Sequence, residues 1–69
     1  MQLNEIITAA MERRQLLGLC PKEVAARASV GENQIYKWEF GSSAPTLKTL
    51  LKVLDALDLE IKIVERNEQ

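Results

Sequence analysis

The sequence predicts a small all-α domain, a compact bundle of four helices followed by a short C-terminal β-strand that pairs across a dimer. Three observations carry this expectation. Apolar residues recur at helical spacing from Leu3 to Leu17 and again from Leu47 to Leu57. Between these rows lie two short helical runs, opening at Pro21 and at Glu32, with the turn residues Ser29-Val30-Gly31 between them. After Asp58 the period falls to two: Leu59-Glu60-Ile61-Lys62-Ile63 alternates apolar and charged, as a strand does.

The first helix is placed at about 2–17, because Leu3, Ile6, Ile7, Ala10, Arg14 and Leu17 share one face. Asn4 is a candidate cap, and Gly18 suits the left-handed stop. Arg14 is the one charge on that stripe. The residue alone leaves two readings open: a long stem with a solvated tip, or a partly buried ion pair.

Pro21 begins the second helix, where its missing N–H has no partner to lose and its φ is already helical. Val24, Ala25 and Ala28 fall on its inner face. Cys20 stands at the cap, where Ser or Thr is usual. With no histidine to activate it and no second cysteine to resolve an oxidised form, its expected role is structural. The third helix opens at Glu32, turns Ile35 and Trp38 inward, and ends at Gly41. Trp38 is in phase with Ile35 and so belongs to the core. Tyr36 is open between packing and a phosphate contact, and Phe40 between packing on the fourth helix and on a partner chain.

Gly41-Ser42-Ser43-Ala44-Pro45 is a loop by composition. Thr46 then caps a fourth helix at about 46–58, with Leu47, Leu50, Leu51, Leu54 and Leu57 inward and Lys48, Lys52 and Asp55 outward. The strand that follows has no partner in its own chain, yet its backbone groups need one. The same strand of a second molecule would serve, with Leu59, Ile61 and Ile63 on the shared apolar face as the dimerisation residues. The domain is therefore drawn at residues 1–58, with 59–69 as a dimerisation strand and a polar tail, Arg66 to Gln69, expected to fray.

Whole-chain properties narrow the function. A chain of 69 residues starting at methionine is expected to be one complete small protein, marginal as a monomer. A hydrophobic content of 46% is too high for a disordered tail. The chain has no apolar run long enough to span a membrane and no secretion signal. One cysteine fits a reducing, cytoplasmic setting. No histidine accompanies it, so no metal site is expected, and no cofactor either. No nucleophile sits with a base, and no carboxylate pair faces a pocket, so an enzyme is not expected. The third helix turns Glu32, Asn33, Gln34 and Lys37 outward. Such side chains suit base edges: Asn or Gln bonds adenine N6 and N7 together, Lys reaches guanine, and Glu accepts from cytosine N4.

Leu17-Gly18-Leu19, Ala25-Ala26-Arg27-Ala28, Val30, Ile35, Trp38-Glu39-Phe40-Gly41, Pro45 and the Leu47/Leu50/Leu54 row resemble the phage-repressor (Xre-type) helix-turn-helix family over roughly residues 3–58. The fourth helix running into Leu59-Glu60-Ile61-Lys62-Ile63-Val64 is similar to the HipB-like antitoxin subgroup, whose terminal strand pairs across a dimer. The resemblance implies that Glu32, Asn33, Gln34 and Lys37 read bases in double-stranded DNA. It also implies an ion pair between Arg14 and Glu39, since the family often pairs an arginine late in its first helix with the glutamate before the glycine. Its second helix commonly opens on a phosphate-binding Gln. Here that residue is Pro21, and Lys22 or the helix start takes over the contact. Ser42, Ser43, Thr46 and Lys48 match the family's other phosphate contacts, with Tyr36 a further candidate.

Net charge runs mildly against DNA, with 9 Lys and Arg facing 10 Asp and Glu. Its distribution does not. Residues 20–52 carry Lys22, Arg27, Lys37, Lys48 and Lys52 against Glu23, Glu32 and Glu39, a net +2, while residues 59–69 are net −1. The expected function is a sequence-specific transcriptional repressor, an antitoxin-like autoregulator that binds a palindromic operator as a homodimer, with a cognate toxin as a further partner. The alternatives are a phage or restriction-linked repressor, and an interaction module that only sequesters a toxin.

Overall fold

A computed structural model describes residues 2–65; the tail from 66 to 69 lies outside the described residues. The four helices are α1 (Leu3–Leu16), α2 (Pro21–Ala28), α3 (Glu32–Phe40) and α4 (Leu47–Ala56). The core is wholly apolar: Ala10 from α1, Val24, Ala25 and Ala28 from α2, Ile35 and Trp38 from α3, and Leu50, Val53, Leu54 and Leu57 from α4 and its end. Ile6, Ile7, Leu19, Val30, Ala56, Leu59 and Ile61 close over it from the sides. α2 lies at the centre of the packing, against both α3 and α4.

Each helix ends in the same way. The residue after its last turn has positive φ: Gly18 at 70°, Ser29 at 58°, Gly41 at 81° and Asp58 at 59°. The next residue then donates back to the last turn, with Leu19 to Arg14, Val30 to Ala25, Ser42 to Lys37 and Leu59 to Leu54, at 2.8–3.1 Å. This is the Schellman arrangement, which satisfies the orphan carbonyls and turns the chain sharply. At three of the four ends the donating residue is apolar (Leu19, Val30, Leu59) and is also tucked against the core.

The helix starts differ more from expectation. α1 opens at Gln2, not Asn4, and without a side-chain cap. Thr46 does cap α4, accepting from the Thr49 N–H at 3.3 Å. At α2 and α3 the bond comes from the third residue reaching back: Glu23 Oε1 accepts from the Cys20 N–H at 3.0 Å, and Gln34 Oε1 from the Gly31 N–H at 3.2 Å. The Cys20 backbone bond, then a Cys20 side-chain contact and the charge of Arg27, hold the Glu23 carboxyl below the usual carboxylate range, against a small opposing effect of desolvation.

Two inward assignments on α4 are corrected. Leu47 is 66% and Leu51 45% exposed, while Val53, not counted inward, is buried. The five leucines form a wider arc than α2 covers. The packed stripe is Leu50, Val53, Leu54 and Leu57, spaced i, i+3, i+4, i+7, and Leu47 and Leu51 sit on its flank. Residues 59–65 also depart from the expectation: they carry no strand, and no strand occurs among the described residues. The alternation is still visible in burial, with Leu59 and Ile61 half-buried and Glu60, Lys62 and Ile63 exposed. A strand is defined by pairing, and no neighbouring segment among the described residues supplies it.

Arg14 and Glu39 meet in a forked ion pair, Nε to Oε2 at 2.9 Å and Nη2 to Oε1 at 3.0 Å, and Arg14 Nη1 also donates to the Leu19 carbonyl at 2.9 Å. The two side chains are only 13% and 17% exposed. Arg14→Met strands a carboxylate, so urea denaturation should show a loss approaching about 3–5 kcal/mol. Adding Glu39→Leu should recover most of it, leaving about 1 kcal/mol for the Leu19 carbonyl. Losses that simply add would mean the pair carries no coupling. Glu23 gives a second expectation. Its folded pKa is depressed, so its contribution is full above the ordinary value of 4.5 and is lost as pH falls through the folded value. The stability difference between the native chain and Glu23→Ala should therefore narrow on acidification below that value.

Candidate nucleic-acid interface

The third helix is held from behind and open in front. Ile35 and Trp38 are buried, and Glu39 is pinned by Arg14. Glu32, Asn33, Gln34, Tyr36, Lys37 and Phe40 are all exposed. Asn33, Lys37 and Phe40, at i, i+4 and i+7, form one outward stripe, with Tyr36 beside it and Glu32 at the helix start. A helix anchored this way keeps its readers in fixed relation to the domain, as insertion into a groove requires.

The four base-reading candidates are not equally free. Asn33 and Lys37 make no side-chain hydrogen bond among the described residues, so their polar groups remain available. Gln34 has its amide oxygen on the Gly31 N–H. Because a backbone N–H can only be accepted by the oxygen, the bond also fixes the amide orientation and leaves Nε2 as the free end. The paired contact to adenine would require that cap to open.

The phosphate-contact candidates are placed as follows. Lys22 lies in the first turn of α2, next to Pro21 at the helix start. Met11, Arg14, Pro21, Tyr36, Glu39 and Phe40 line one shallow hollow, which joins the start of α2 to the outer side of α3. Ser42 and Ser43, in the loop after α3, and Lys48, in the first turn of α4, are exposed. Thr46 is committed to its own helix, its hydroxyl lying 2.8 Å from that of Thr49 as well as capping. Leu59 and Ile61 lie on a different part of the molecule, against Ile6, Ala9 and Leu54.

Two residues acquire a meaning that spacing did not give. Arg13, which the spacing did not single out, donates from Nε to the Leu57 carbonyl at 3.0 Å, a bond across 44 positions of sequence. A cation at a helix end is a known pattern, yet nothing local in the sequence marks that partner. Phe40, left open between the fourth helix and a partner chain, is 82% exposed and so does not pack on α4. No helix of the described residues is long and apolar enough to cross a membrane.

The comparison with known families bears on the same stretch. A helix-turn-helix family model matches residues 11–64, from the last turns of α1 through α4 and into the tail. No curated protein matches the chain. The match covers most of the sequence and includes α2, the corner and α3, so the chain belongs to the helix-turn-helix family, whose members are DNA-binding transcription regulators.

Proposed function

We propose that the protein is a homodimeric repressor that binds a palindromic operator and, as an antitoxin-like regulator, controls its own operon. The observation that carries the DNA-reading part is the outward stripe of α3, with Asn33 and Lys37 free and Ile35 and Trp38 anchoring the helix behind them. The antitoxin setting, with a toxin partner, rests on the likeness of α4 and its tail to the HipB-like subgroup.

The dimer follows from size and from the tail. One module of this kind touches few base pairs, so useful specificity needs two copies about 34 Å apart on a two-fold site. Ile63 is 98% exposed, an arrangement a second copy would relieve. The face formed by residues 20–52 is only +2, which supports weak non-specific binding and puts the burden of affinity on base contacts.

Three outcomes are expected on DNA from the protein's own promoter, followed by fluorescence anisotropy. Asn33→Ala and Lys37→Ala should each cost about 1–3 kcal/mol on the operator and little on random DNA. Lys48→Ala should weaken both alike and flatten the salt slope by about one unit. Normal operator binding by both α3 variants would overturn the recognition assignment. Ile63→Asp, at a side chain 98% exposed in its own subunit, should keep the helical signal yet sediment as a monomer and lose operator binding. A dimeric Ile63→Asp chain would move the interface elsewhere.

A further inference from the structure

The charges on the tail specify how two copies would meet. Leu59 and Ile61 rest against the core, while Ile63 and Val64 project into solvent. The backbone groups of Glu60 to Glu65 make no backbone hydrogen bond with other described residues. A segment with unpaired backbone groups and bare apolar side chains is suited to pairing. We propose that Leu59–Ile63 pairs antiparallel with the same segment of a second copy, centred on Ile61, so that Glu60 of each chain faces Lys62 of the other. This rests on the dimeric reading above and adds its register and its selectivity.

The register follows by elimination. A slip of one residue sets every apolar side chain opposite a charged one and turns half of them away from the core. That leaves centres on single residues. A centre on Glu60 puts two carboxylates face to face, and a centre on Lys62 two ammonium groups. A centre on Leu59 sets Asp58 against Glu60, and a centre on Ile63 leaves Lys62 opposite Val64. The centre on Ile61 brings opposite charges together, twice, at the cross-strand separation of roughly 5 Å and opposes no like charges; a centre on Glu60 also sets Asp58 against Lys62, but only with the two Glu60 carboxylates face to face at the axis.

The apolar face agrees with the same choice. Ile61 meets its own copy at the axis, and Ile63 lies opposite Leu59 of the other chain. Leu59 borders a groove lined also by Ile6, Ala9, Leu54 and Ile61. Ile63, bare in one chain, is thereby delivered to the groove of the other. On the outer face, Lys62 Nζ lies 3.9 Å from Glu60 Oε1 of its own chain, which places both groups on one side of the segment. So exposed a pair contributes little within the subunit, and both groups remain free for a partner.

Sedimentation equilibrium of the full-length chain at low salt tests this. Glu60→Lys makes both positions cationic, and Lys62→Glu makes both anionic. Each variant alone should dimerise about tenfold or more weakly, having lost two attractive pairs and gained two repulsive ones. The double variant Glu60→Lys/Lys62→Glu should regain the native dissociation constant, and a mixture of the two single variants should form heterodimers. Circular dichroism should show unchanged helix throughout. Native chain that dimerises while both single variants dimerise equally well overturns the register and leaves the dimer standing. Native chain that stays monomeric at every concentration overturns the dimer and the register together.

Discussion

Two neighbouring guanidinium groups tie α1 to everything else. Arg14 grips Glu39 at the end of α3 and the Leu19 carbonyl at the entry to α2, and Arg13 holds the Leu57 carbonyl at the end of α4. The helix itself contributes only Ala10 to the fully buried core, so apolar burial alone holds it weakly. Among the described residues no polar side chain is buried in the interior, and these charge-assisted bonds form its rim. They act at helix ends, where carbonyls lack intrahelical partners and the backbone dipole favours a cation. The end of α3 is thereby fixed relative to α1, and with it the angle at which the outward stripe of α3 is presented.

What could be read in the sequence was what repeats locally. The four helices follow from apolar spacing, Pro21 and the glycines at 18 and 41, and each of these signals acts within a few residues. The positive φ at Ser29 and Asp58 was less legible, because neither residue advertises a left-handed conformation as glycine does. The misplaced Leu47 and Leu51 have a different cause. Periodicity locates an apolar arc, whereas the width buried depends on the neighbours, and the packed side of α4 takes Leu50, Leu54 and Leu57 but leaves Leu47 and Leu51 on its flank.

The candidate site was legible in residue type but not in commitment. Asn33, Gln34 and Thr46 look equally available as polar side chains, yet Gln34 and Thr46 are engaged at their own helix starts and Asn33 is not. Arg14 was marked by its place on the apolar stripe and by the resemblance that pairs it with Glu39, whereas nothing in the sequence assigns Arg13 to the Leu57 carbonyl. The tail is the reverse case. Its alternation is plain in the sequence, but pairing is a property of two segments, and one chain holds only one of them.

Under the proposed DNA reading, Gln34 would carry two duties that evolution cannot separate cheaply. Gly31 has no side chain with which to close the start of α3, so the Gln34 oxygen supplies that bond. Most exchanges at position 34 also reopen the helix start, at a cost of about 1 kcal/mol in a domain with little stability to spare. Glutamate would keep the bond and forfeit the donor; most other residues would forfeit both. Position 33, free of such ties, can drift without that penalty. New DNA preferences should therefore arise more readily through Asn33 and Lys37 than through Gln34, so the capping geometry of one turn constrains which sequences this repertoire of regulators can come to recognise.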